Sequence, residues 1–391
     1  MLVNKSAPSL IKYMGSKKKL LDFVISGINS VLLDGPVCDL FAGSNSLAGA
    51  LNNQVEMIVN DIQSYSKIYT HTYLYNKKSE VSQNKIDEFF LLIQNKINEK
   101  KNKLNDYSFV YPKNITIDEF VSLEKEQQNL INHSFNFEYH LFIKNYSGTY
   151  WSFNQCIEID SIREIADLYK NQYEFYLILS SLMFAMAYTS QSTGHYAQYR
   201  DATSQKSMED ILTYREKSVY SFFVKKVIEL SQSLEDNEYN YKATSLDFRD
   251  CLKEIPERTT VYADPPYCFV HYSRFYHVIE TLVRYDYPTV AYKGRYREDR
   301  HQSPFCIKTQ VKKAFKDMFD LISIKNSSLV LSYSNTGMVT LEEILILANE
   351  SFLKNYEIKV LSEDYSHSTM GRKEDKSREV QELLILVKKI N

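Results

Sequence analysis

The spacing of apolar residues predicts a helix followed by a strand and a second helix near the N-terminus. Apolar positions recur at helical spacing over residues 18–33, and the Gly35-Pro36 pair after them is typical of a turn. Residues 37–41 form a short apolar run that predicts a strand. Small residues follow this strand and lead into a helix that we predict from about Leu47.

A second strand is predicted at 57–59, and it ends at Asn60-Asp61. A helix through the Tyr69 region follows it. Strand, turn, helix and strand in this order are the repeating unit of a doubly wound α/β sheet, so we expect such a sheet here.

The pattern changes after residue 77 and returns to α/β after residue 235. Residues 78–135 are rich in Lys, Asn, Gln and Glu, with helical periodicity around 89–92, and 161–232 are mostly helical. Strands are then predicted at 242–244, 260–263, 328–333 and 383–387. We therefore predict an α/β, doubly wound, Rossmann-like domain from 1–77 and 236–391, with a largely helical inserted domain at 78–235.

Composition agrees with a folded protein and restricts its environment. The 391 residues carry a net charge of −2, so the chain is not coated in positive charge, although a local basic face can still bind nucleic acid. The five cysteines form no CxxC pair, which argues against structural zinc and a disulfide framework. The first ten residues lack the apolar segment of a signal peptide, and the apolar stretch 175–188 is too short to span a bilayer. We expect a soluble intracellular protein that does not bind membranes.

The most specific motif is Asp264-Pro265-Pro266-Tyr267, directly after the predicted strand at 260–263. An exocyclic adenine amine is a poor nucleophile because its lone pair is delocalised into the ring. A carboxylate and a proline carbonyl that accept its two hydrogens would raise the electron density on nitrogen. Tyr267 offers a flat face on which an extruded base can stack. The alternative is a polar turn after a strand, but ligands of α/β sheets bind at this end of the strands.

Three weaker motifs precede it, and each has an ordinary structural alternative. The segment 39–46 contains a small-residue turn that lets backbone approach a ligand closely, or it simply joins a strand to a helix. Asp61 can accept both hydroxyls of a ribose, or it can cap a helix. Residues 12–17, Lys-Tyr-Met-Gly-Ser-Lys, can meet a ligand carboxylate, or they are a solvated basic start to the first helix.

Taken together and in this order, these motifs resemble the D12 class of DNA adenine N6-methyltransferases, the family that includes the Dam enzymes. The resemblance implies a methyltransferase sheet and a target-recognition region in the insertion. It implies S-adenosylmethionine as cofactor, bound by Tyr13, Lys17, Phe41, Ala42, Gly43, Ser44, Asp61, Asp247, Phe248 and Asp264. It implies catalytic roles at the target base for Asp264, Pro265, Pro266 and Tyr267.

The chain departs from the family pattern at two positions. Asn45 stands where the family usually has a second glycine, and Ser16 stands where many relatives have glycine. Asn adopts left-handed backbone conformations more readily than most residues, so we expect the turn at Asn45 to survive.

The expected substrate is double-stranded DNA, from which the target adenine must be flipped. The densest basic segment, 293–301, and the polar aromatic loop 192–200 are the candidate DNA contacts, with a solvated loop or a packed loop as the alternatives. The candidates are Arg274, Lys293, Arg295, Arg297, Arg300, His195 and Arg200. We predict no metal site, because direct methyl transfer needs none and neither His195 nor His277 has a second ligand at metal spacing.

The predicted function is therefore site-specific DNA adenine N6-methylation by direct in-line displacement. We expect it to serve a restriction-modification or phage-defence system, as a prokaryotic or phage-encoded protein of the cytoplasm that associates with the nucleoid. A cognate restriction nuclease is a possible partner, and the sequence leaves the recognition site and the choice between monomer and dimer open. The alternatives are methylation of RNA adenine or of a protein glutamine, and an inactive DNA-binding module that keeps the fold.

Overall fold

The structure is a computed structural model, and it describes residues 1–4, 7–11, 20–192, 195–266, 272–334, 337–366 and 379–390. Within these residues, a seven-stranded sheet has the order β3-β2-β1-β4-β7-β9-β8. Its strands are β1 (Val37–Asp39), β2 (Met57–Asn60), β3 (Tyr241–Thr244), β4 (Thr260–Ala263), β7 (Ser328–Ser334), β8 (Tyr356–Ser366) and β9 (Glu379–Lys389). A separate two-stranded hairpin consists of β5 (Val290–Ala291) and β6 (Tyr296–Arg297).

Five neighbouring strands of the sheet, from β3 to β7, run parallel. Strand β9 runs antiparallel to both of its neighbours, β7 and β8. The chain moves outward from β1 to β2 and β3, then returns to place β4 on the other side of β1. This reversal between β1 and β4 is a topological switch point, where ligands of open α/β sheets bind beyond the carboxyl ends of the strands.

The two faces of the sheet bury different side chains because successive residues of a strand point to opposite sides. On β1, Val37 belongs to one apolar core and Cys38 to the other. On β7, Val330 faces the first core, while Leu329 and Leu331 face the second.

Helices cover both faces. The helices that pack on the first face are α1 (Leu21–Val31), α2 (Ser46–Leu51), α3 (Ser64–Leu74) and α12 (Tyr272–Arg284). Those on the second face are α11 (Phe248–Glu254), α13 (Val311–Ile324) and α14 (Leu341–Ser351). The sheet is thus wound on both sides, which confirms the predicted α/β class.

The segment between α3 and β3 is helical, as predicted. Its helices are α4 (Gln83–Lys103), α5 (Ile117–Gln128), α6 (Leu141–Tyr146), α7 (Phe153–Ala166), α8 (Tyr173–Thr189), α9 (Gln205–Arg215) and α10 (Val219–Ser233). Helix α8 packs on α3, where Thr72 Oγ1 and Ser180 Oγ lie 2.7 Å apart, and it shares the first apolar core. This continuous core joins the helical segment to the sheet, and the division into domains at 78 and 235 stays a prediction.

The apolar pattern located most elements to within a few residues. The strand predicted at 37–41 ends at Asp39, and the strand predicted at 383–387 extends over Glu379–Lys389. The edge strand β8 was not predicted, and the basic segment 293–301 contains strand β6 of a hairpin instead of being only a loop. Among the described residues, no helix has both the length and the apolar composition needed to cross a bilayer.

Candidate active site

A pocket lies along the carboxyl edge of the sheet, at the switch point between β1 and β4. Four parallel strands each deliver residues to it. Asp39 and the turn after it come from β1, Asp61 follows β2, Leu246 to Phe248 follow β3, and Asp264 to Pro266 follow β4. Because the carboxyl ends of parallel strands meet at one edge, motifs more than 200 residues apart in the chain come together here.

The small-residue turn after β1 is fixed by Asp61. The Asp61 carboxylate accepts hydrogen bonds from the backbone N–H of Gly43 and of Gln63, both at 2.9 Å. Gly43 has a φ of 49°, a left-handed conformation that glycine adopts without strain. Helix α3 starts at Ser64 with Gln63 at its N-cap, so Asp61 is not the helix cap that was its structural alternative. It instead connects the loops after β1 and β2.

Asn45 adopts the left-handed conformation expected of it, with φ 60° and ψ 30°. Its buried side chain donates to the carbonyl of Ser66 at 3.0 Å and to Ser66 Oγ at 2.8 Å. Its Oδ1 accepts from Thr70 Oγ1 at 2.7 Å. The amide therefore attaches the turn to helix α3, which a glycine at this position could not do.

Three carboxylates converge on the pocket. Asp39 is buried, with 2% of its surface exposed, whereas Asp61 and Asp264 are partly buried. Burial raises the pKa of Asp39, and the charges of Asp264 and Asp61 raise it further. Burial also raises the pKa of Asp61 to about 6, against the effect of its two backbone hydrogen bonds. Within the described residues, Asp39 Oδ1 is buried without a hydrogen-bond partner, so the pocket favours a cationic ligand.

An aromatic wall forms one side of the pocket. The ring centroid of Phe41 lies 6.0 Å from that of Phe248 and 5.4 Å from that of Phe305, which packs edge-on. Phe248 and Phe305 are 5.1 Å apart. Asp247 at the start of α11 accepts from the N–H of Arg249 at 3.0 Å and so caps the helix that carries Phe248. A flat apolar group such as a purine fits against rings arranged in this way.

The Asp264-Pro265-Pro266 segment leaves β4 beside these groups. The carbonyl of Pro266 accepts a weak hydrogen bond from the Cys306 thiol at 3.8 Å. No described residue donates a hydrogen bond to the carbonyl of Pro265. Proline restricts the backbone around these carbonyls, so the Pro265 oxygen can accept from a ligand without first breaking an internal hydrogen bond.

The structure brings together most of the residues predicted from the motifs. Those that line the pocket are Phe41, Ala42, Gly43, Ser44, Asp61, Asp247, Phe248, Asp264, Pro265 and Pro266. Tyr13, Lys17 and Tyr267 lie outside the described residues, and their roles stay predictions.

The residues predicted to contact DNA differ in what they do in the fold. The buried Arg295 donates to the carbonyls of Asn145 and Gln128, and the buried Arg297 pairs with Asp286 and Asp299. These two guanidinium groups hold the hairpin to its surroundings, and we leave both out of the proposed DNA-contacting set.

The other candidates lie nearer the surface. Arg200 pairs with Asp210, Lys293 pairs with Asp201, and half-buried His195 packs against Phe275 with a ring-centroid distance of 4.5 Å. Arg274 and Arg300 both contact the ring of Tyr296.

Sequence reasoning missed three residues of the site. Asp39 belongs to the segment 39–46 but had no predicted role of its own, although its position at the end of a buried strand is a signal for a ligand contact. The Asn60 side chain bonds to the backbone of Leu40 and of Leu246, and so joins the loops after β1 and β3. Phe305 is fully buried and supports the rings of Phe41 and Phe248 that line the pocket, and no local pattern marks it.

Comparison with known proteins agrees with this geometry. A family model described as D12 class N6 adenine-specific DNA methyltransferase matches residues 13–344. The chain is 24% identical over 390 residues to the modification methylase LlaI of Lactococcus lactis subsp. lactis, covering 97% of this chain and 55% of that protein. It is 24% identical over 394 residues to the modification methylase StsI of Streptococcus sanguinis, covering 97% of this chain and 52% of that protein.

A third relative is the type II methyltransferase M.NlaIII of Neisseria lactamica, which is 20% identical over 345 residues, 85% of this chain and 86% of that protein. The chain spans about half the length of LlaI and StsI. The family match, in contrast, covers most of the chain and includes every pocket-lining motif. This chain belongs to the D12 class of N6 adenine-specific DNA methyltransferases.

Proposed function

We propose that this chain methylates the N6 amine of adenine at a specific sequence in double-stranded DNA, with S-adenosylmethionine as methyl donor. The observation that carries the proposal is the shared pocket, in which Asp264-Pro265 lies beside the turn at Gly43 and beside Asp61. The relatives named as modification methylases support a role beside a restriction nuclease.

The donor set fits S-adenosylmethionine group by group. The carboxylates of Asp39 and Asp61 favour a cationic ligand, and Asp61 can in addition accept from both hydroxyls of a ribose. The rings of Phe41 and Phe248 suit the adenine moiety. When bound, the cofactor supplies an activated methyl group on a positively charged sulfur.

The reaction we propose is a direct in-line displacement, so the chain contributes position and charge. The target adenine leaves the duplex and enters the pocket. Asp264 and the Pro265 carbonyl accept the two hydrogens of the amine, which raises the electron density on nitrogen and stabilises the positive charge that develops there. Tyr267 keeps its predicted role as a stacking surface for the base.

The inactive DNA-binding module is the weaker hypothesis. Its motive was Asn45 in place of glycine, and the turn at Asn45 keeps its left-handed conformation and gains hydrogen bonds to α3. Among the pocket residues that the structure describes, nothing favours loss of turnover.

Sequencing of DNA from cells that express the protein, with detection of N6-methyladenine, tests the proposal. We expect the modification at one recurring sequence. Asp264→Ala should abolish it while weakening S-adenosylmethionine binding, measured by calorimetry, far less, because a lost transition-state contact lowers turnover more than ground-state binding. Asp250→Ala is the matched control, since it removes an exposed carboxylate that pairs with Lys253.

Three results would count against this account. N6-methyladenine in the Asp264→Ala cells would refute the role of that carboxylate. Cofactor binding without any methylation of DNA by the unaltered protein would favour the inactive module. Methylation of RNA in its place would change the substrate.

A further inference from the structure

Two arginines near the pocket differ from the other charged residues around them. Arg274 is exposed and Arg300 is half-buried, and within the described part of the chain neither has a carboxylate within ion-pair distance. Four nearby cations do have such partners: Arg200 with Asp210, Lys293 with Asp201, and Arg284 and Arg297 with Asp286 and Asp299. A fifth, Arg295, is buried and donates to two backbone carbonyls.

Both arginines lie against a single ring. The guanidinium carbon of Arg274 is 5.6 Å from the ring centroid of Tyr296, and that of Arg300 is 5.2 Å from it. Arg274 also donates from Nε to the Tyr296 oxygen at 3.1 Å. The Tyr296 hydroxyl donates in turn to the carbonyl of Ala197. The ring is 7% exposed, so it forms a fixed platform that holds two like charges close together.

The platform lies at the rim of the pocket. Arg274 follows Ser273 in the chain, Arg300 precedes His301, and both Ser273 and His301 line the pocket. Ser273 Oγ donates to the carbonyl of His301 at 2.5 Å, which joins the two segments. Each arginine is therefore one residue away from the wall of the pocket that holds Asp264.

The charges of this region suit a polyanion that approaches the pocket. Asp39, Asp61 and Asp264 line the interior, and the described lining contains no Lys or Arg that could hold a DNA backbone. Two guanidinium groups at the rim, without carboxylates to neutralise them, supply positive charge where the backbone must pass. Arginine also binds phosphate through paired N–H donors, and a fixed platform lowers the entropy lost on binding.

We propose that Arg274 and Arg300 form a phosphate clamp for the phosphodiesters that flank the flipped adenine. The inference rests on the proposed function, because it takes DNA as the substrate. It assigns Lys293 and Arg297 to internal ion pairs and Arg295 to hydrogen bonds with backbone carbonyls. Extrusion of a nucleotide rotates its sugar and phosphates out of the duplex path, and the clamp would hold them at the mouth of the pocket.

The test measures the affinity of the full chain for a duplex that contains its methylation site, over a range of salt concentrations. Each phosphate contact contributes about 0.9 to the slope of log affinity against log salt. Arg274→Ala and Arg300→Ala should each reduce the slope by about that amount, which corresponds to about eightfold weaker binding at about 0.1 M salt. Arg274→Lys should restore most of the slope, and Arg284→Ala, which removes an ion-paired cation from the same helix, is the matched control.

A duplex with neutral methylphosphonates at the two linkages that flank the adenine gives an independent measurement. The unaltered protein should bind this duplex more weakly than a normal duplex. For Arg274→Ala, the difference in affinity between the two duplexes should be much smaller. S-adenosylmethionine affinity should be the same in all variants, which shows that they are folded.

The outcomes separate the inference from the function on which it rests. Clamp variants with the salt slope of Arg284→Ala would overturn the clamp, and so would an equal effect of the neutral linkages on every variant. In both cases the unaltered protein would still methylate DNA. An unaltered protein that neither binds nor methylates duplex DNA would overturn the proposed function and the clamp with it.

Discussion

Two substitutions of Asn45 separate the contribution of its side chain to stability from the contribution of its backbone conformation. The side chain makes three short hydrogen bonds, two to Ser66 and one to Thr70, and the residue is fully buried in a left-handed conformation. Asn45→Gly removes the bonds but adopts the same φ without strain. Asn45→Ala removes the bonds and also places a Cβ in the left-handed region.

The magnitude follows from the contacts. A buried hydrogen bond contributes about 1 kcal/mol to stability, so the loss of three destabilises the glycine variant by roughly 3 kcal/mol. The alanine variant loses these bonds and incurs a further cost of about 1 to 2 kcal/mol for the left-handed backbone. We therefore expect the free energy of unfolding to fall in the order unaltered protein, Asn45→Gly, Asn45→Ala.

Urea unfolding of the three proteins measures this order, and calorimetry with S-adenosylmethionine measures the effect on the turn. Asn45→Gly should bind the cofactor nearly as well as the unaltered protein, because Gly43 and Asp61 still fix the turn. A glycine variant as stable as the unaltered protein would show that the amide contacts contribute nothing. Equal stability of the glycine and alanine variants would show that the backbone conformation is not strained.

Three further predictions follow from the site. Burial raises the pKa of Asp61 to about 6, so calorimetry should show weaker S-adenosylmethionine binding as the pH falls from about 7 to about 5, because the carboxylate gains a proton and loses acceptor capacity. Asp61→Asn should bind the cofactor weakly and with little pH dependence. Glu280 accepts a hydrogen bond from the Tyr65 N–H at 3.2 Å, and its charge raises the pKa of Asp61. Glu280→Gln keeps an acceptor but removes the charge, so the midpoint of the pH profile of cofactor binding should move to lower pH. An unmoved midpoint would exclude an electrostatic effect of Glu280 on Asp61. Arg297→Ala should lower the free energy of unfolding by about 2 kcal/mol in urea without a change in the salt slope of DNA binding, and a changed slope would return Arg297 to the DNA-contacting set.

The chemistry of the site was predictable from short segments. Asp264-Pro265-Pro266 was recognisable because it follows an apolar run, and a buried strand must end where polar and proline residues begin. The turn at Gly43 and the carboxylate of Asp61 follow strands in the same way. In a parallel sheet these strand ends share one edge, so local patterns were sufficient to predict one common site.

Other features depend on contacts between distant parts of the chain. The hydrogen bonds of Asn60 to Leu246 and the aromatic contact of Phe305 with Phe41 join residues far apart in sequence, and no local pattern predicts such pairs. The edge strand β8 acquires its register only from β9.

The sequence by itself determined, to within a few residues, where the strands beside the pocket end and which chemical groups follow them, because apolar periodicity and the backbone limits of glycine and proline act over a few residues. Only the tertiary structure decided which charges are already neutralised. Arg297 and Arg300 stand three positions apart in one basic segment, yet the first is buried against two carboxylates and the second lies on the ring of Tyr296 at the pocket rim. The partner of a charge is set by whatever the fold places beside it, and its place in the sequence does not reveal that partner.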